Sequence, residues 1–264
     1  MNIGTVKIGE LSVSRLIIGG NPFSGFSHQG NQRDHEMIDW YTATRIKEAY
    51  RQAEELGIMT HIGRADHHIM RVLREYWNEG GKIQWVAQTC PDLGSMARGV
   101  ENAIKGNAKA CFLHGGWMDF LLAKRRLQEV PPDVEKIKKA GLPAGIAGHD
   151  PRVFEWAEKN LDVDFYACSY YNSMPRGGRA EYLHSFNEKF DDADRQRMVD
   201  VIDGLSKPVI HYKVMAAGRK DPREALTFVA EHLRPQDAVC IGIFTKDKKN
   251  MLKEDLKILE LALR

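Results

Sequence analysis

Ser14-Arg15-Leu16-Ile17-Ile18-Gly19-Gly20-Asn21-Pro22 is the stretch on which the fold reading turns. It is a continuous apolar run halted by two glycines and a proline, as a strand buried on both faces would be. A polar loop follows, then a helical pattern from about Thr42 to Glu55 in which Ile46, Ala49, Tyr50 and Ala53 share one face. Upstream, Thr5 to Ile8 and Leu11 to Val13 flank Gly9-Glu10 and read as a β-hairpin that covers one end of a core.

Downstream the strand-then-helix beat repeats. Strand-like runs occur at Ile58 to Ile62, Ile83 to Gln88, Ala110 to His114, Pro143 to Gly148, Asp164 to Ser169, Pro208 to Lys213 and Ala238 to Ile243. Between them lie helical patterns such as Met96 to Ile104, Pro151 to Glu158, Ala193 to Leu205, Arg223 to His232 and Asn250 to Leu263. Eight near-continuous apolar strands alternating with helices predict an α/β fold, a (β/α)8 TIM barrel with an N-terminal β-hairpin. The runner-up, an open doubly wound sheet, lacks the Gly-rich fingerprint after its first strand. Trp117 to Pro132 and Tyr171 to Asp192 read as long loops, the second carrying Arg176, Gly177, Gly178 and Arg179.

A chain of 264 residues suits one such domain, expected to span 1–264. Lys and Arg total 38 against 36 for Asp and Glu, so no large basic field recommends nucleic acid or an anionic membrane as partner, and a small-molecule substrate is expected. No run approaches the roughly 18 apolar residues of a membrane span, and no leader pattern opens the chain, which points to the cytoplasm. Cys90, Cys111, Cys168 and Cys240 are widely spaced and read as reduced packing residues.

With that frame in place, the chain resembles the aldo/keto reductase superfamily. Leu11-Ser12-Val13-Ser14-Arg15-Leu16-Ile17-Ile18-Gly19-Gly20 is similar to that family's hairpin and first strand, Leu113-His114 to its fourth-strand histidine motif, and Ile241-Gly242-Ile243 with Glu254-Asp255-Leu256 to its last strand and closing helix. The resemblance implies carbonyl reduction with a nicotinamide cofactor by an Asp, Tyr, Lys and His tetrad. Carried over residue by residue, the aspartate falls on His61, the tyrosine on Asp66 and the lysine on Gln88, while the histidine is kept as His114. A neutral Gln88 supplies no charge to tune a proton donor, so the standard reaction is not expected.

Barrel catalytic groups sit at the carboxyl ends of the strands. His61, His114, His149 and His211 fall at or near four such ends, with Asp66 just past the second strand and Lys213 two residues beyond His211. Strand alternation places His211 and Lys213 on one face and Tyr212 on the other, leaving open which face is inner. Two chemistries follow. His61, Asp66, His114 and His149 would bind a divalent metal, zinc or manganese, with an open position for substrate. Alternatively His61 and His114 act as acid and base without metal, with Lys213 stabilising an enolate or forming an imine.

Asn21, Gln88, Trp117, His149 and Tyr171 are the expected substrate contacts. The loops after strands seven and eight carry Gly218, Arg219, Thr245 and Lys246, the residues expected to hold NADP if it binds. The favoured reading is an enzyme acting on a small polar, sugar-like substrate bearing a carbonyl or hydroxyl group, through isomerisation, elimination or hydrolysis. The alternatives are an NADP-dependent oxidoreductase and a non-catalytic ligand-binding barrel, and fold likeness alone does not choose among them.

Overall fold

The computed structural model describes residues 3–174 and 188–264. Arg176, Gly177, Gly178 and Arg179 lie outside them. The expected hairpin forms from β1 (Thr5–Ile8) and β2 (Leu11–Ser14), antiparallel with Thr5 opposite Ser14 and Ile8 opposite Leu11. Gly9 turns it at φ +56, a conformation glycine adopts without steric cost.

Eight parallel strands then close on themselves: β3 (Leu16–Gly19), β4 (Thr60–Arg64), β5 (Gln84–Gln88), β6 (Ala110–Leu113), β7 (Ala144–Gly148), β8 (Phe165–Ser169), β9 (Val209–Tyr212) and β10 (Ala238–Gly242). The last strand pairs with both β9 and β3, which shuts the ring, so the barrel itself has no edge strand. Around it run α1 (Asn31–Trp40), α2 (Ala43–Glu55), α3 (His67–Asn78), α4 (Met96–Lys105), α5 (Gly115–Ala123), α6 (Pro131–Lys139), α7 (Pro151–Asn160), α8 (Asp192–Asp203), α9 (Pro222–His232) and α10 (Met251–Ala262). Thr42, Asp66, Ser95, Asp150, Asp191 and Asp221 each accept a backbone N–H of the helix that follows, so the turns into helix are chemically marked.

Strand alternation divides the core into two layers. Ile17, Ile62, Val86, Phe112, Phe165 and Ile210 fill the barrel, and Val6, Ile8 and Val13 of the hairpin pack into the same cluster, closing one end. Leu16, Ile18, Trp85, Cys111, Ile146 and Val239 face outward to the helices. The four cysteines are free and buried, and burial pushes the thiols of Cys90 and Cys240 up to about 12.

Two expectations fail. Trp117 to Pro132 is no long loop, because α5 and the start of α6 occupy most of it. The sequence of α5, Gly-Gly-Trp-Met-Asp-Phe-Leu-Leu-Ala, is apolar almost all round, so it carries no polar face to betray a helix. The polar loop before Thr42 contains α1, in which Met37 is the buried residue, so its periodicity is equally faint.

Inside the barrel, Phe165 is fully buried and meets Phe112 edge to face at 6.1 Å between centroids. Its register partner is Gly145, where a Cβ would stand 2.6 Å from the Phe165 ring. We expect Phe165→Ala to lower the unfolding free energy by roughly 3–5 kcal/mol, measured by urea denaturation. A loss below about 1 kcal/mol would mean that the interior layer is not packed as described.

Candidate active site

The carboxyl ends of the strands surround a cavity of about 460 Å³. Of the residues singled out from sequence, Asn21, Gln88, His114, His149, Lys213 and Gly218 line it. So do Arg64, Glu188, Tyr212 and His28, which the sequence reading did not assign to the site.

The best-built polar row in the cavity wall runs from Asp119 through His149 to Tyr212. His149 follows β7 directly, and its Nδ1 lies 2.6 Å from Asp119 Oδ2 on α5. The other carboxylate oxygen accepts the backbone N–H groups of His149 (2.9 Å) and Asp150 (3.1 Å), so Asp119 is held from three directions. Its side chain is only 2% exposed. With Nδ1–H donating to a buried carboxylate, Nε2 is the acceptor, and it faces the Tyr212 hydroxyl at 3.4 Å. That hydroxyl is also 3.3 Å from the Gly148 carbonyl oxygen. Close approach depends on Gly115, where a Cβ would lie 3.0 Å from the Tyr212 oxygen and 3.2 Å from His149 Cε1.

Cations and a second polar group complete the wall. Arg64 ends β4, is 8% exposed, and donates from Nε to Asp66 at 2.9 Å and from Nη2 to Asp92 at 2.6 Å. Glu188 lies 3.0 Å from His28 Nδ1 and accepts from the Ser173 hydroxyl at 3.2 Å. Burial works to raise its carboxyl, but the His28 hydrogen bond and the Lys213 charge outweigh it and hold the group at about 2. Lys213 follows the inward-facing Tyr212, and a regular strand would turn it outward. Its φ of +56 breaks the alternation, and Lys213 also reaches the cavity wall.

The four strand-end histidines do not converge. His61 points outward and is fully buried between the barrel and α2, with Nδ1 3.1 Å from the Ile18 carbonyl oxygen and its ring 4.9 Å from that of Tyr50. Its Nε2 has no hydrogen-bond partner among the described residues. The inward residue at this strand end is Arg64, so the family's aspartate position does not fall on a mouth-facing His61. His211 is also fully buried outside the barrel, with Nε2 3.2 Å from Asp237 and Nδ1 3.0 Å from the Tyr170 hydroxyl. Tyr212, not His211, faces inward.

Asp66 caps α3, accepting from Ile69 N–H at 2.9 Å, and lies off the cavity. Trp117 packs on Phe120 and Tyr171 on Phe190, both away from the mouth. Burial pushes the Tyr171 phenol up to about 12. No group of three or more His, Cys, Asp or Glu side chains suited to a metal forms among the described residues, so the proposed zinc or manganese ligands His61, Asp66, His114 and His149 do not form one.

The expected cofactor loops are only partly in place. Gly218 lines the cavity at φ +82, but Arg219 is committed to the His28 carbonyl at 2.7 Å and to the Phe190 ring. Thr245 accepts from the Trp40 indole N–H at 3.0 Å, and Lys246 lies off the wall. What lines this end instead is Asp247, paired with Arg33, and the buried Asp255, whose carboxyl burial raises to about 6. Arg33 and Lys220 line the same end, so charges of both signs stand where the cofactor's phosphates would lie.

No protein-family model matches the chain. No curated protein matches its sequence. Solved structures do match. A putative aldo-keto reductase from Pseudomonas aeruginosa superposes with a TM-score of 0.64 at 16% identity, covering 98% of this chain and 95% of that one. An aldo-keto reductase from Bacillus halodurans gives 0.59 at 12% identity, covering 99% and 96%. The chain has the aldo/keto reductase barrel fold. A truncated 3-deoxy-D-arabino-heptulosonate 7-phosphate synthase from Thermotoga maritima, another barrel, gives 0.57 at 12% identity, covering 98% and 91%. Identities this low carry the fold and no chemistry.

Burial pushes His61 down to about 3, against the Ile18 carbonyl bond that favours its charged form. Its folded value thus lies below the unfolded one of about 6.5. The unfolded chain binds the extra proton between the two values. This contribution to stability is therefore complete above the unfolded value and is lost as pH falls toward about 3, at up to ~1.4 kcal/mol per pH unit. In urea titrations across that window, wild type should lose stability faster than His61→Leu. Parallel profiles would show that His61 is not held neutral.

Proposed function

We propose that this barrel is an enzyme that moves protons on a small polar substrate bearing a carbonyl or hydroxyl group. The observation that carries the reading is the Asp119–His149–Tyr212 row in the cavity wall. A hydroxyl hydrogen-bonded to an imidazole, itself oriented by a buried carboxylate, is the arrangement general acid–base catalysis uses.

In this reading His149 Nε2 takes the Tyr212 proton as the phenol oxygen accepts one from substrate, and returns it when the phenol acts as acid. Asp119 holds the imidazole in the required tautomer and stabilises its charged form. Lys213 stabilises the enolate that forms when a proton leaves carbon, or the alkoxide that forms when one leaves oxygen. His114, Gln88 and Asn21 supply polar contacts for hydroxyl groups. Isomerisation and elimination next to a carbonyl fall within the reach of such a set.

The test is exchange of solvent deuterium into a panel of aldoses, ketoses and hydroxy acids, followed by mass spectrometry. Tyr212→Phe should lower the exchange rate by about 10²- to 10⁴-fold with little change in melting temperature, and His149→Gln should do the same. Full activity in both variants would overturn the assignment. A catalytically silent, ligand-binding barrel would exchange nothing in any form.

A second reading, NADP-dependent carbonyl reduction, is favoured by the fold shared with aldo-keto reductases and by Gly19, Gly20, Gly218 and Gly242, which leave backbone open along one side of the cavity. Arg219, Thr245 and Lys246, the residues expected to hold the cofactor, do not line the cavity, which argues against it. Titration with NADPH, followed by nicotinamide fluorescence, should give no saturable change at micromolar concentration. Saturation there would make reduction the better reading.

A further inference from the structure

Arg64 is a buried charge of this mouth to which the proton-transfer scheme gives no task. Along β4, Ile62 faces the barrel interior and His61 faces the helices, so alternation turns Arg64 inward. A cation sunk to 8% exposure at a strand's inner end needs compensation, and Asp66 and Asp92 supply it. They take one N–H from Nε and one from Nη2, out of five that a guanidinium offers. Nη1 makes no hydrogen bond among the described residues. The Phe26 ring lies 4.8 Å from the guanidinium carbon, adding a face contact to the two ion pairs that fix the group's plane.

Gln88 is the register partner of Arg64 across β4 and β5, and both line the cavity. The pair thus sets a rigid guanidinium beside a side-chain amide at one side of the mouth. Tyr212, on β9, stands three strands away around the ring through β10 and β3.

We propose that Arg64 and Gln88 form an oxyanion subsite, so that the substrate carries a carboxylate or phosphate group besides the carbonyl or hydroxyl that Tyr212 serves. This inference rests on the proton-transfer reading for the identity of the ligand as a substrate, but not for the binding itself. A planar guanidinium with N–H groups to spare, fixed in orientation by carboxylates, binds such a group by donating charge-assisted hydrogen bonds. The amide of Gln88 donates to a further oxygen without adding charge.

Isothermal titration of the full chain with glycerate, glycerol 3-phosphate and glycerol tests this. Saturable binding is expected for one of the two anions and not for glycerol, and which anion binds identifies the group. Arg64→Gln should abolish binding, and Arg64→Lys should retain a weaker form of it. Asp92→Asn removes a competing carboxylate and should tighten anion binding by roughly two- to fivefold. An arginine serving only as a tie between the loops after β4 and β5 predicts no gain from Asp92→Asn, so an unchanged affinity overturns the proposal, as does equal binding of glycerol or anion binding that survives Arg64→Gln. Should anion binding follow Arg64 while Tyr212→Phe leaves deuterium exchange unchanged, the subsite stands and the proton-transfer reading falls.

Discussion

The closed hydrogen-bond ladder of eight strands imposes a binary choice on each strand side chain, inward to the barrel or outward to the helices. The site descends from that constraint. It sends Arg64, Gln88 and Tyr212 into the mouth and turns His61 and His211 out among the helices. A shift of one residue in either strand would exchange these sets, which is why two histidines at promising places in the chain became packing residues. Lys213 reaches the cavity only because its backbone leaves the strand in a left-handed turn.

Outward burial gives the displaced histidines a different physical life. His61 sits among aromatic rings with one nitrogen satisfied, so burial holds it neutral. His211 instead joins Asp237, Tyr170 and Arg234 in a buried network that ties β9 to the turn before β10. There burial works to raise the Asp237 carboxyl, while hydrogen bonds from His211 and Arg234 bring it below its ordinary value. His211 is explained by its partners, and His61 by burial as a neutral ring with one nitrogen bonded.

Within the mouth the charges come with partners: Arg64 with Asp66 and Asp92, Glu188 with His28, His149 with Asp119. Such pairing is what lets ionic groups survive partial burial, and it also pins their geometry. The Asp119–His149 pair differs from the others in passing its order on to a third group, the Tyr212 hydroxyl. Gly115 makes this contact sterically feasible at the point where α5 leaves its strand.

Composition and periodicity alone determined the barrel, the hairpin plug, the order of its strands and the buried face of α2, because burial of apolar strands and amphipathic helices is written in local pattern. They also marked His149, His114, Gln88, Asn21 and Lys213 as residues of the strand ends. The helices α1 and α5 were hidden because one is nearly all polar and the other nearly all apolar, so neither has the contrast that periodicity needs. Tyr212 was visible as the opposite face to His211, yet the choice between those faces is set by register around the closed ring. Asp119, 30 residues from His149 in sequence, becomes its partner only when α5 packs beside β7. Which titratable groups meet is decided by such long-range packing, and no local pattern encodes it.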